Sequence, residues 1–335
     1  MNGINVTLLI TSFLLGTLGA AFVLRWGEKL SLIDIPNARS SHFKATPKGG
    51  GIGILFSFLL VSVATKLSWM IYLPVFVLSL MNLFGDRKEI SPLLRLILQF
   101  AVAAIVLSAV CSQDVFMAVF DFFNSPLVAR FLVYTVLAVF LVGTANCFNF
   151  MDGINGIAGV TAIVAFSFLG YVAYERMQTN ISVMSFCLTL ASVGFLPWNF
   201  PKAKVFMGDI GSILLGLMFG VVSVQLSQSM TDLLCFAGFL LPFYMDEFFT
   251  MIERIKDGES LSKPHRRHLY QVLANEGGNS HWKISLCYGA AQLIISVLML
   301  SFRSQGIVPL LIVYFISIIC FASYNKYRKS KLIYN

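Results

Sequence analysis

Charge is what this chain has least of. Only 12% of its 335 residues are Asp, Glu, Lys or Arg, about half the share usual in soluble domains. With 57% hydrophobic residues and a mean hydropathy of +0.80, too little polar surface remains to cover a water-soluble globule, which leaves the lipid bilayer as solvent. No secretory signal peptide is evident either. The first apolar run, Val6 to Val23, has no basic segment before it and continues into Arg25 and Lys29, so it is predicted to be a retained helix. The six cysteines (Cys111, Cys147, Cys187, Cys235, Cys287 and Cys320) are scattered, with no CxxC among them. That spacing argues against a disulfide framework and a thiolate metal site. No internal repeat, low-complexity tract or separate soluble domain is visible.

What the chain has is long apolar runs. They centre near Leu14, Phe58, Val75, Ala103, Val136, Val164, Leu188, Met218, Ala237, Ile294 and Val313. A spanning helix needs roughly 20 such residues, so the sequence predicts about eleven transmembrane helices in an all-α polytopic bundle. Val115–Phe123 is too short to span and is predicted to be interfacial. Residues 1–325 are expected to form one integral membrane domain, followed by a basic tail, 326–335. With the N-terminus outside, the outer loops carry only Lys66, Arg130, Arg176 and Arg303 of the 24 Lys and Arg residues. All the rest then face the cytoplasm, as the positive-inside rule requires. The formal net charge of +8 thus follows from topology and does not argue for a nucleic-acid partner.

Carboxylates at the ends of membrane helices are costly and mark functional positions. Asp86, Asp152, Asp209 and the Asp246–Glu247 pair all fall at predicted cytoplasmic helix ends. Asp152 lies in NCFNFMDGINGI, where Asn146, Asn149, Asp152 and Asn155 recur every third position and can meet on a helix or tight turn. Such a group can hold a cation or hydrogen-bond a sugar and phosphate; the plainer alternative is an Asx-type cap. Asp209 lies in KVFMGDIGSILLG, with Gly208 and Gly211 at the start of a helix. Exposed amides there attract phosphate and the carboxylate suits Mg²⁺, although a simple N-cap is the rival reading. Positive charge comes from Lys48, ahead of Gly49–Gly51, and from His265, Arg266, Arg267 and His268 in SKPHRRHLYQVL. Zinc at the two histidines lacks a third ligand and would be repelled by the arginines. A diphosphate fits better, with a solvated basic loop as the alternative.

Together, NCFNFMDGINGI, VFMGDIGS, DIPNARSSH…TPKGGG and PHRRHLYQ resemble the signatures of the polyprenyl-phosphate N-acetylhexosamine-1-phosphate transferases. That superfamily includes MraY-like and WecA-like enzymes, and HRRHLYQ is most similar to the WbpL-like O-antigen branch. The resemblance covers most of the chain. It implies transfer of a sugar 1-phosphate from a UDP-N-acetylsugar to undecaprenyl phosphate at the cytoplasmic face of the bacterial inner membrane, with Mg²⁺ or Mn²⁺ as cofactor; a homodimer stays open. It further implies that Asp209, with Asp152, holds the metal and that Asp86 and Asp152 are catalytic. Asn146, Asn149, Asn155 and Gly208 would form the nucleotide-sugar side, Lys48 and His265–His268 would hold phosphates, and Asp246 and Arg254 would line the cleft. One position departs from the pattern. Gly85 stands where the family carries the first of two adjacent aspartates, leaving Asp86 alone. A silent homologue is the alternative this supports, and a transporter, which usually shows repeated halves around a midplane site, is the remaining one.

Overall fold

The computed structural model describes residues 6–36, 40–85, 91–110, 126–261 and 265–333. Asp86 and the expected interfacial segment Val115–Phe123 lie outside the described residues. The described chain is almost wholly helical: α1 (Val6–Trp26), α2 (Ile52–Ala64), α3 (Trp69–Gly85), α4 (Pro92–Val110), α5 (Pro126–Phe150), α6 (Ile157–Glu175) and α7 (Thr179–Asn199), then α8 (Asp209–Leu226), α9 (Met230–Gly238), α10 (Leu241–Lys256), α11 (Leu269–Asn275), α12 (His281–Phe302) and α13 (Ile307–Ile333). One two-stranded ribbon, β1 (Ile33–Asp34) with β2 (Thr46–Pro47), folds the first long loop back on itself.

Every one of the eleven apolar runs centres on a helix. Eight of these helices are long and apolar enough to cross a membrane, or nine with the bent pair α9–α10 counted as one span. Two others, α2 with 13 residues and α3 with 17, are shorter apolar helices. The run centred on Ala237 was expected to be one helix but is two, meeting at 82°. Pro242 in the first turn of α10 lacks the amide that a continuous helix would need, and Gly238 lets Met299 of α12 press against the break.

The innermost helix is α8, buried along nearly all its length. It is apolar all round, as a helix with no solvent or lipid face should be. Small residues let backbones come together, which is how membrane helices gain packing where lipid and protein are equally apolar. A Cβ on Gly216 of α8 would meet Ala145 Cα of α5 at 2.8 Å, and one on Gly194 of α7 would meet Phe13 O of α1 at 2.1 Å. In contrast, α1 and α13 keep most of their side chains on the outside of the bundle, where lipid would contact them.

At the end of the bundle away from the predicted site, Asp232 ties three connections together. It accepts from Arg176 at the end of α6 and from Arg303 after α12, both at 2.7 Å, and from the Gln228 amide at 2.9 Å. The carboxylate is 8% exposed. Removing it strands two arginines, so Asp232→Asn should destabilise the protein by about 3 kcal/mol. Thermal unfolding in detergent should show a lowered Tm with the transfer rate at low temperature retained.

Candidate functional site

The polar groups singled out in the sequence collect at one end of the bundle, where α5 and α7 end and α6, α8 and α12 begin. Asp209 opens α8, one residue after Gly208, whose φ of 75° favours glycine. Its carboxylate is held on both sides. Arg95, in the first turn of α4, donates to Oδ2 at 2.6 Å, and Asn149, in the last turn of α5, donates to Oδ1 at 2.9 Å. Asn149 also reaches Ser212 Oγ at 2.8 Å, one turn into α8. The Asp152 amide donates to Asn149 O at 3.1 Å, so the turn carrying Asp152 is an extension of the helix that grips Asp209.

The first loop reaches the same place through its backbone. Gly49 and Gly50 both donate to Phe206 O, Gly51 donates to Met207 O, and Phe206 donates to Pro47 O. This pins Lys48 alongside the segment leading into Asp209. Only glycines allow it, because a Cβ on Gly51 would sit 2.5 Å from Gly211 Cα. The glycines after Lys48 therefore serve this crossing of α2 and α8. On the far side of the Asp152 turn, Asn155 donates to Pro201 O at 3.3 Å, and its own carbonyl accepts from Ser285 of α12 at 2.8 Å. Asn199 Oδ1 takes the Gly156 amide at 2.6 Å.

The basic motif is organised by Asp246. This carboxylate is 1% exposed and accepts the amides of Leu269 and Tyr270 at 2.8 and 3.2 Å, capping the start of α11. Tyr288 of α12 donates to it at 2.5 Å, and His268 faces it at 3.5 Å. His268 also faces Glu247 at 3.5 Å. From α11, the Tyr270 hydroxyl donates to Phe150 O at 2.9 Å, and its ring lies where a side chain on Gly153 would be. A continuous path thus runs from Asp246 through α11 to the two residues that flank the Asp152 turn.

Several expected site residues are committed to protein partners. Asn146 makes a reciprocal amide pair with Gln99 of α4, at 2.6 and 3.3 Å, and so joins α4 to α5. Arg254 is 3% exposed and holds the following loop through Glu259 and the carbonyls of Ser260 and Leu261. Arg266 pairs with Glu276 at 2.8 Å, and Arg267 pairs with Asp257 at 2.5 Å and Glu259 at 2.8 Å. A phosphate arriving here would share these arginines with carboxylates. Burial, helped by nearby His268 and Arg254, pushes His265 down to about 4. At neutral pH it is therefore uncharged, offering a hydrogen bond and no charge.

That depressed value has a signed consequence. An unfolded His265 protonates near pH 6.5, the folded one only near 4, so folding is favoured fully above about 6.5 and loses stability as pH falls towards 4. His265→Gln should remove this slope. Unfolding midpoints of the two proteins should converge in pH dependence above pH 7, with the variant gaining relative stability between pH 6 and about 4.5.

Arg95 was not among the expected site residues. Its signal was present, since it is the only charged residue in α4, and a lone Arg near the end of an apolar helix warrants a partner. Ser212 and Tyr270 gave no comparable signal. Among the described residues, no three acidic, histidine or cysteine side chains converge. Mg²⁺ does not need that many, since it is typically held by one or two carboxylates plus substrate phosphates and water. Asp209, 25% exposed, and Asp152 on the adjoining turn would be the donors of such a set.

The chain is similar to known proteins over most of its length. Residues 68–227, which include α8 and both motifs that meet at Asp209, match glycosyl transferase family 4. The chain is 26% identical to a probable undecaprenyl-phosphate N-acetylglucosaminyl 1-phosphate transferase of Bacillus subtilis, over 94% of this chain and 89% of that one. It is 28% identical to an undecaprenyl-phosphate α-N-acetylglucosaminyl 1-phosphate transferase of Thermotoga maritima, over 87% and 88%. The relative of that name in Escherichia coli is also 28% identical, over 89% and 84%. This multi-pass helical bundle, with its motifs meeting at one end, is thus similar along most of its length to undecaprenyl-phosphate N-acetylglucosaminyl 1-phosphate transferases.

Proposed function

We propose that this protein transfers an N-acetylhexosamine 1-phosphate from a UDP-N-acetylsugar to undecaprenyl phosphate and releases UMP. The observation that carries the reading is the Asn149–Asp209–Arg95 cluster, joined by backbone to the Asp152 turn and to the loop bearing Lys48. Asn149 and Arg95 meet on one carboxylate at a helix start, with the Lys48 loop bonded to the backbone just before it, an arrangement suited to a diphosphate and its counter-ion.

Phosphoryl transfer asks the protein mainly for in-line positioning and for charge stabilisation. The acceptor is a phosphate monoester with a second pKa of about 6, so it is largely ionised at neutral pH and needs no general base. One of its oxygens attacks the β-phosphorus, a new P–O bond forms, and the bond from that phosphorus to the bridging oxygen breaks. The electron pair leaves on UMP. Asp209, with Asp152, would hold Mg²⁺, whose chemistry there would be to offset charge on the diphosphate. Arg95 orients Asp209, and Lys48 and the neutral His265 supply further donors to phosphate. Asp86 is assigned to the lipid phosphate. The excess of Lys and Arg at the site end supports a cytoplasmic placement in the bacterial inner membrane, and HRRHLYQ supports a role in starting an O-antigen-like glycan.

The test is UMP release by purified protein with undecaprenyl phosphate, Mg²⁺ and a panel of UDP-N-acetylsugars. UMP that requires both lipid and metal supports the proposal, and the preferred donor names the sugar. A second reading, a catalytically silent homologue, rests on Gly85, the last residue of α3. If the monoester attacks unaided, Gly85→Asp should change the rate less than about tenfold. A wild type without turnover that Gly85→Asp awakens would favour the silent homologue.

A further inference from the structure

A second cavity, of about 530 Å³, lies between α10, α11, α12 and α13, and none of its walls comes from Asp209, Asp152, Asn149, Arg95 or Lys48. It has a polarity. On α12, Lys283 lines it in the first turn and Ala291 two turns deeper; on α13, Arg328 lines it near the same end and Phe321 two turns deeper. Both helices therefore grade from cation to hydrocarbon in one direction, away from the site end. Met245, Leu273 and Ile284 continue the apolar part. Several cations at this end are neutralised by protein; Arg266 pairs with Glu276 at 2.8 Å and Lys329 with Glu253 at 2.7 Å. Among the described residues, neither Lys283 nor Arg328 has a carboxylate partner, and Arg328 Nε is buried without a hydrogen bond.

We infer that this cavity binds an anionic glycerophospholipid, its phosphate between Lys283 and Arg328 and an acyl chain along Ile284, Ala291 and Phe321. A basic pocket between membrane helices with a hydrocarbon throat is complementary to such a lipid. The occupant is a resident lipid and not the reacting one, because the walls share no residue with the Asp209 cluster. Its effect reaches the site through α11. Leu269, the first residue of that helix, lines the cavity, and so does Tyr288, which holds Asp246. The bound lipid braces from behind the helix that positions His265–His268. That last step rests on the proposed function; the binding itself does not.

Cys287 reports occupancy directly. It lines the cavity and is exposed in the protein alone, whereas Cys320, also exposed, is not part of the lining. The full-length protein would be placed in nanodiscs of phosphatidylcholine, with or without phosphatidylglycerol, and alkylated with a membrane-permeant maleimide. Rates at each cysteine would be read by peptide mass spectrometry. Phosphatidylglycerol should slow Cys287 several-fold and leave Cys320 unchanged. Lys283→Gln combined with Arg328→Gln should abolish that protection, while Lys283→Arg should keep it. Equal Cys287 rates in both bilayers would overturn the inference, as would protection that survives loss of both cations. Protection by undecaprenyl phosphate in phosphatidylcholine discs, with none from phosphatidylglycerol, would also overturn it by making the cavity an acceptor site. No arm reads UMP, so failure here is separable from failure of the transferase assignment.

Discussion

Asp209→Asn should lower the transfer rate by roughly a thousandfold or more, the scale lost when a group aimed at developing charge is removed. The substitution keeps the size of the side chain and the acceptor that Asn149 uses at 2.9 Å. It replaces Oδ2, which Arg95 meets at 2.6 Å, with an amide that can only oppose the guanidinium. Collapse of the fold is not the expected cause. The ion pair is 25–29% exposed, so its loss costs only about 1 kcal/mol, and α8 is held by packing along its whole length. Binding of the UDP-sugar, measured by calorimetry without lipid acceptor, should weaken far less than turnover. A variant with full Mg²⁺-dependent activity would remove Asp209 from the mechanism.

Asp246→Asn is the second large effect, and it acts at a distance. Asp246 was expected to line the cleft, yet its carboxylate is buried and turned to the amides of Leu269 and Tyr270, to Tyr288 and to His268. An asparagine there must point an NH₂ group at a set of donors. The penalty for such a buried mismatch is about 3 kcal/mol, concentrated at the start of α11. Activity should fall by at least about a hundredfold, because the loop carrying His265–His268 loses its anchor. Tyr270→Phe gives a graded comparison. It keeps the cap on Asp246 but drops the bond to Phe150 O, worth about 1 kcal/mol, or roughly a fivefold loss. Amide exchange separates this account from general destabilisation. The Leu269 and Tyr270 amides should exchange faster in Asp246→Asn while α8 stays protected. Unchanged exchange at α11 would deny Asp246 its positioning role.

Much of the fold was legible because a bilayer leaves few options. Each apolar run must close its own backbone hydrogen bonds as a helix, so the centres of the runs identified the helices. The length and straightness of each helix were less legible. The extended segment through Lys48 and its glycines delays the start of α2, and the α9–α10 bend depends on Met299 pressing on Gly238, a contact between distant parts of the chain.

The site shows the same division. Asp209, Asn149 and Asp152 carry a signal because polar groups are scarce in apolar sequence, and the structure brings Asn149 directly onto Asp209. Spacing alone could not tell Asn149 from Asn146. Both project from α5 at its site end, yet one faces Asp209 and the other pairs with Gln99. Nor could it reveal that Arg266 and Arg267 already face Glu276, Asp257 and Glu259, since those pairings depend on how the loop folds over α10.

The central claim is that the sugar moves together with its phosphate. The most direct measurement uses UDP-N-acetylglucosamine labelled with ³²P at the β-position, purified protein, undecaprenyl phosphate and Mg²⁺, followed by extraction into organic solvent. The account predicts that label enters the lipid phase as unlabelled UMP accumulates in water. A sugar that reaches the lipid while the label stays in the aqueous phase as UDP would contradict it.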